Sequence, residues 1–295
     1  MDLQTALRGV TPPLVTPFTA DGSLDADALS EVVSFVVDRG VSGLFPCGTT
    51  GEFASLTFDE RLQTIETTVS HAEGVPVLAG VASPNVRDTV SQITAAADVG
   101  ADVAVVTPPY FHTANAPQGN QAYFEQVAAE SELPLLLYNI PSCTGAPIDP
   151  ETVVALSTQE QFIGIKDSSG DFGYFSQLLR RTADSFLLLQ GFDNLLLPSL
   201  RIGADGGIHA LSNVLPSVFA ELAATPQRDR AAELQQTAIA PLFETCLSVG
   251  FAPATKTALS HRSVIPTDAV RPPLVETDAK TVETITDLVD QATSI

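Results

Sequence analysis

Lys166 closes the apolar run Phe162-Ile163-Gly164-Ile165-Lys166 and is one of only three lysines in 295 residues. Side chains alternate along a strand, so Phe162, Gly164 and Lys166 are expected on one face and Ile163 and Ile165 on the other. With Asp167-Ser168-Ser169-Gly170 opening a loop beyond it, the amine would stand over a cavity. Burial disfavours the charged form of an amine, and a neutral amine attacks carbonyl carbon. The plainer alternative is a strand-end lysine whose head reaches water.

Further reactive or cradling groups follow other apolar runs. They are Gly48-Thr49-Thr50-Gly51-Glu52, Thr107-Pro108-Pro109-Tyr110, Tyr138-Asn139-Ile140-Pro141-Ser142, Gly191-Phe192-Asp193 and Gly207-Ile208-His209. A glycine-flanked hydroxyl pair can hold a carboxylate through backbone N–H groups and side chains. An amine, a phenol able to relay protons and a carboxylate cradle are the parts needed for a Schiff base with a 2-keto acid. The iminium is an electron sink through which a neighbouring carbon–carbon bond breaks or forms.

The elements that must position these groups come next. Strand-like runs lie near residues 10–18, 43–47, 75–80, 103–106, 135–139, 162–166, 187–190 and 207–209. Thr57-Phe58-Asp59-Glu60 is a capping box for a helix that ends by Gly74. Ser83-Pro84 and Asp149-Pro150 each offer a cap followed by proline at the first helical position. Gly40, Gly100 and Gly203 are placed to end helices and return the chain to a strand. Eight strands alternating with helices predict an α/β chain folded as a (β/α)8 TIM barrel, whose chemistry collects at the C-terminal ends of the strands. A doubly wound open sheet is the runner-up, but no Gly-x-Gly-x-x-Gly follows the first strand. Beyond Pro216 the pattern is purely helical, at 228–249, 253–261 and 277–293. Residues 1–215 are therefore read as the barrel and 216–295 as a C-terminal helical extension packed on it.

Charge excludes some partners. Fourteen Lys+Arg against thirty-five Asp+Glu give 14 − 35 = −21, with a sequence pI near 4.3. Such a surface repels phosphate backbones and anionic headgroups, which argues against nucleic-acid or membrane binding. Scarce lysine with abundant acid resembles proteins of salt-loaded cytoplasms. Cys47, Cys143 and Cys246 lack CxxC or CxH spacing and point to a reducing compartment. His71, His112, His209 and His261 are dispersed without HxH or HxxxH spacing, so no metal ligation is expected. No basic–apolar leader or membrane-length apolar run is visible, and a cytoplasmic location is expected.

Three segments carry a resemblance. Gly48-Thr49-Thr50-Gly51-Glu52, Tyr138-Asn139-Ile140-Pro141 and Gly164-Ile165-Lys166-Asp167 resemble, in order and on the matching strands, the signatures of the dihydrodipicolinate synthase / N-acetylneuraminate lyase family of class I aldolases. The likeness runs from about Gly9 through Asn213. It implies a pyruvate-derived Schiff base on Lys166, with Tyr138 moving protons and neither metal nor cofactor required. It also implies that Thr49 and Thr50 bind the pyruvyl carboxylate and support the tyrosine, with Gly48, Gly191 and Ile208 lining that end. Tyr110 would reach into a neighbouring subunit's site, within a homotetramer.

One departure bears on the second substrate. The synthases read Tyr-Asn-x-Pro-Ser-Arg-Thr-Gly, and their arginine binds the carboxylate of aspartate semialdehyde; this chain has Cys143 there. A thiol cannot replace a bidentate guanidinium, and losing such a charge-paired contact costs about 2–5 kcal/mol. A small residue at this position resembles the 2-keto-3-deoxygluconate aldolases, whose aldehyde is a neutral polyol. The loop Phe111-His112-Thr113-Ala114-Asn115 adds no Arg or Lys for a phosphate. The expectation is therefore a carbon–carbon lyase releasing pyruvate and an aldehyde from an unphosphorylated 2-keto-3-deoxy sugar acid. The rivals are a 4-hydroxy-tetrahydrodipicolinate synthase with its arginine moved elsewhere, a keto-deoxy-acid dehydratase, a metal-dependent aldolase and a sugar-acid sensor or scaffold.

The net charge also makes a prediction. Thermal midpoint and activity should rise from dilute buffer to molar salt, because screening weakens self-repulsion. Equal midpoints across a salt series would contradict it.

Overall fold

Apolar runs joined by capped helices fold as parallel strands with helical returns. The computed structural model describes residues 2–112 and 116–295; positions 113–115 of the expected substrate-end loop lie outside the described residues. After α1 (Leu3–Ala6) come β1 (Gly9–Thr11), α2 (Ala26–Val37), α3 (Phe58–His71), β2 (Leu78–Gly80), α4 (Val86–Asp98), β3 (Val103–Val106), α5 (Pro117–Glu130) and β4 (Leu135–Asn139). Then follow α6 (Pro141–Thr144), α7 (Pro150–Leu156), β5 (Phe162–Asp167), α8 (Phe172–Leu179), β6 (Leu187–Gln190), α9 (Leu196–Arg201) and β7 (Gly206–Ile208).

Among the described residues seven strands form one parallel sheet in the order β1-β7-β6-β5-β4-β3-β2. The expected strand at 43–47 is irregular instead, interrupted by Pro46, which has no N–H to donate. It still makes parallel bridges on both sides, Pro13 with Phe45 and Leu44 with Val77. Phe45 N donates to Pro12 O at 3.0 Å, Leu14 N to Phe45 O at 2.9 Å and Leu78 N to Leu44 O at 2.8 Å. This segment thus sits between the two edges of the curled sheet. The first strand is shorter than expected, because Pro12 and Pro13 remove two ladder donors.

Two of the three expected caps hold. Thr57 Oγ1 accepts from Glu60 N at 3.2 Å while Glu60 Oε2 accepts from Thr57 N at 2.9 Å. Asp149 Oδ1 accepts from Glu151 N at 2.9 Å. Ser83-Pro84 does not start α4; Asn85 caps it instead, accepting from Asp88 N at 2.9 Å. The turn glycines behave as expected, with φ of +79° at Gly40, +93° at Gly100 and +110° at Gly203.

The alternation expected along 162–166 is broken. Phe162 pairs with Leu135 but Gly164 with Leu136, so Ile163 is an extra residue at a bulge. Ile163 therefore joins Val105, Leu136, Tyr138 and Leu189 in the inner cluster, while Phe162 and Ile165 pack outward with Leu137 and Leu188. Beyond the bulge Lys166 returns to the inner face.

The C-terminal part holds α10 (Pro216–Ala224), α11 (Asp229–Leu234), α12 (Ala240–Val249), α13 (Phe251–His261) and α14 (Ala279–Thr293). A π-helical turn at Gln235–Ile239 joins α11 to α12; this widened turn falls just ahead of Pro241, whose ring and missing N–H a regular α-helical turn does not accommodate. Phe219, Leu242, Ile285 and Val289 share one buried cluster with Leu29 and Val33 of α2, so the C-terminal helices and this barrel helix have one apolar core. Among the described residues no helix is long and apolar enough to cross a membrane.

Arg271, between α13 and α14, ties that part to α3. Its guanidinium meets both Glu60 oxygens at 2.8 and 2.5 Å and donates to Gly22 O at 2.9 Å and Ser55 O at 3.0 Å. The Arg271 hydrogen bonds hold the Glu60 carboxyl down at about 2. A carboxyl depressed by folding adds stability above its unfolded pKa and loses it as pH falls through the folded one. Glu60→Gln should thus be less stable than wild type by about 1–3 kcal/mol at pH 7. The gap should close as pH drops from about 4.5 towards about 2. Denaturant titrations across that range check this; a gap independent of pH would contradict it.

Candidate active site

The side chains with reactive potential converge where β4 and β5 end. Tyr138 and Lys166 are cross-strand partners in the parallel ladder. Both point inward, and Lys166 is 4% exposed. The Lys166 ammonium nitrogen stands 4.1 Å from the centroid of the Tyr138 ring and 5.2 Å from that of Phe45. Phe45 meets Tyr138 edge-on at 6.1 Å, so two aromatic rings wall the amine. The Tyr138 hydroxyl lies 3.4 Å from the hydroxyl of Thr49, and either oxygen can donate. Amine, phenol and threonine thus stand in sequence.

Above them opens a cavity of about 260 Å³. Tyr138, Phe45, Gly48 and Thr49 line it on the lysine side; Tyr110, Thr107, Cys143 and Thr144 line it elsewhere. None of its lining residues, among the described ones, carries a charge. Lys166 lies against the Tyr138 and Phe45 rings rather than in the wall itself. Of the expected site residues, the structure brings Lys166, Tyr138, Thr49, Gly48, Tyr110 and Cys143 together.

Thr50, Gly191 and Ile208 stand outside this wall. Thr50 is buried within the loop, and Ile208 belongs to the inner core. Gly191 instead permits a close approach of two strand ends. Its N–H donates to Asp167 O at 2.7 Å, and a Cβ there would lie 2.0 Å from Ser168 Oγ. His209 is fully buried, stacked on Phe219 at 5.4 Å, with its Nδ1 3.7 Å from Asp193 Oδ2. Cys47 is a buried thiol whose pKa burial pushes up to about 12, which leaves it unreactive. Cys143 is exposed at the cavity rim.

Two supports escaped sequence reasoning. Asn139, one residue beyond Tyr138, donates from Nδ2 to Asp167 Oδ1 at 2.7 Å and accepts from Ile148 N at 2.9 Å. Asp167, one beyond Lys166, also accepts from Ser169 N at 3.1 Å and Ser169 Oγ at 3.0 Å. The outward side chains at the ends of β4 and β5 are therefore bridged to each other. The other support is a buried pair between Lys256 and Glu52. Lysine scarcity was the available signal: Lys256 is another of the three.

A buried amine packed on a phenol at the C-terminal mouth of a parallel α/β barrel can form a Schiff base with a carbonyl compound. The model of the dihydrodipicolinate synthetase family matches residues 6–292, and the chain belongs to that family. A 4-hydroxy-tetrahydrodipicolinate synthase of Methanosarcina barkeri is 36% identical over 262 residues, covering 88% of this chain and 85% of its own. An uncharacterized DapA-like lyase of Halobacterium salinarum is 41% identical over 217 residues, covering 73% and 71%. The crystal structure of dihydrodipicolinate synthase from Aquifex aeolicus superposes with a TM-score of 0.91 at 31% identity, covering 97% of this chain and 98% of that one.

Burial raises the Asp167 carboxyl to about 6, against the opposing hydrogen bond from Asn139. A carboxyl raised by folding keeps its proton longer in the folded state, so stability falls as pH rises from its unfolded value, 3.8, to about 6. Asp167→Asn, which preserves the shape and an acceptor for Asn139, has no such slope. Wild type should lose about 1–3 kcal/mol relative to this variant between pH 4 and 7. Parallel stability-versus-pH curves for the two proteins would contradict the assignment.

Proposed function

We propose that Lys166 forms a Schiff base with pyruvate and that the resulting enamine joins an aldehyde, or is released from one, with Tyr138 carrying the proton. The observation that carries this reading is the Lys166 amine packed 4.1 Å from the Tyr138 ring on adjoining strands. Attack on the keto carbon expels water from the carbinolamine. Loss of a C3 proton then gives the enamine, whose carbon is the nucleophile towards the aldehyde. In this reading Tyr138, backed by Thr49, takes and returns these protons, and the Gly48–Thr49 turn holds the pyruvyl carboxylate.

The names borne by relatives support aspartate semialdehyde as the aldehyde, and so the 4-hydroxy-tetrahydrodipicolinate synthase reaction, above the sugar-acid cleavage expected from the sequence. One observation favours that cleavage as a second reading. Cys143 occupies the rim where a guanidinium would meet a second carboxylate, and the cavity lining is uncharged. A neutral polyol aldehyde from a 2-keto-3-deoxy sugar acid suits such a lining.

The assembly belongs to the same proposal. Tyr110 lines its own chain's cavity, and the adjoining Phe111 is 90% exposed, a surface that a neighbouring subunit of a homotetramer would cover. The salt-adapted composition and a cytoplasmic location complete the reading.

Borohydride added with pyruvate should leave a reduced adduct on the peptide holding Lys166. Pyruvate offered with aspartate semialdehyde or with glyceraldehyde then separates the two readings by which pair condenses. An unmodified Lys166 peptide would overturn both.

A further inference from the structure

We infer that Glu52 and Lys256 are positioning residues through which the C-terminal helices hold the Thr49–Tyr138 contact in place; this rests on the Schiff-base reading above. Glu52 ends the segment Gly48-Thr49-Thr50-Gly51-Glu52 and takes a left-handed backbone, with φ +54° and ψ 33°. A non-glycine residue is strained there and stays only when its surroundings hold it. Those surroundings come from more than two hundred residues away. The Lys256 ammonium on α13 donates to one Glu52 oxygen and, at 2.8 Å, to Ala269 O. The other Glu52 oxygen accepts from Arg271 N at 3.0 Å. Lys256 is fully buried and stands 4.0 Å over the ring of Phe18.

The loop side of this contact leads directly to the site. Glu52 N donates to Thr49 O at 3.1 Å, Gly51 N to Gly48 O at 3.1 Å, and Thr16 Oγ1 to Gly51 O at 2.7 Å. A displaced Glu52 therefore pulls on the residue whose hydroxyl faces Tyr138. Burial lowers the Lys256 pKa, and the charge of Glu52 opposes that shift. Removing one leaves an uncompensated buried charge, whereas removing both leaves a neutral contact. Residues of the extension thereby become part of the machinery at the strand ends.

The test measures turnover, the rate of borohydride-trapped pyruvate adduct on Lys166, and the thermal midpoint. It compares wild type, Glu52→Gln, Lys256→Met and the double variant. Wild type forms the adduct if the Schiff-base reading holds; its failure to do so sinks that reading, and this inference with it. Given a wild-type adduct, Glu52→Gln and Lys256→Met should each lower kcat at least tenfold in protein that remains folded, with the aldehyde KM within twofold. The double variant should be at least threefold more active than Lys256→Met. Folded variants with wild-type kcat overturn the inference. So does a set in which every variant unfolds, since the pair would then be a folding element alone. A double variant no better than Lys256→Met overturns it as well.

Discussion

The parallel ladder between β4 and β5 constrains everything else at the site, because it sets Tyr138 beside Lys166. A shift of one residue in either strand would turn one of these side chains outward. The bulge at Ile163 makes this register more than a consequence of alternation. It inserts one residue below Lys166, and Gly164 absorbs the crowding, since a Cβ there would lie 2.6 Å from Leu187 O. Beyond the bulge the outward side chains Asn139 and Asp167 join directly. The inner pair is the one proposed for chemistry, and the outer pair bridges the two strands beside it.

Around this pair the molecule is arranged as a wall and a floor. Phe45 and the Tyr138 ring face the amine and limit its access to water, while the inner apolar cluster fills the barrel beneath. The Gly48–Glu52 loop brings Thr49 to the phenol, and the far end of that loop is held from α13 and the segment before α14. The extension and the strand-end site are one mechanical unit, even though two hundred residues separate their sequences.

Much of this was legible beforehand. The strand and helix order followed from apolar runs, caps and glycines, and Lys166, Tyr138 and Thr49 from their positions after strands. What the sequence hid was non-local. The shortness of β1 and the irregularity at 43–47 come from prolines set within a favourable apolar pattern. Bulges leave no mark on hydrophobicity, so simple alternation assigns Ile163 to the wrong face. Gly191 and Ile208 stand at the expected strand ends, but one serves backbone packing and the other the core. The Glu52–Lys256 pair spans α13 to the second barrel segment, and no local pattern reports so distant a partner.

The central claim is that the Lys166 nitrogen binds pyruvate covalently and makes its methyl hydrogens labile. Proton NMR of pyruvate in heavy water, with no aldehyde present, measures this directly. Wild-type protein should wash out the methyl hydrogens, and Lys166→Met should leave them exchanging at the rate of buffer alone. Washout by Lys166→Met at the wild-type rate would contradict the account.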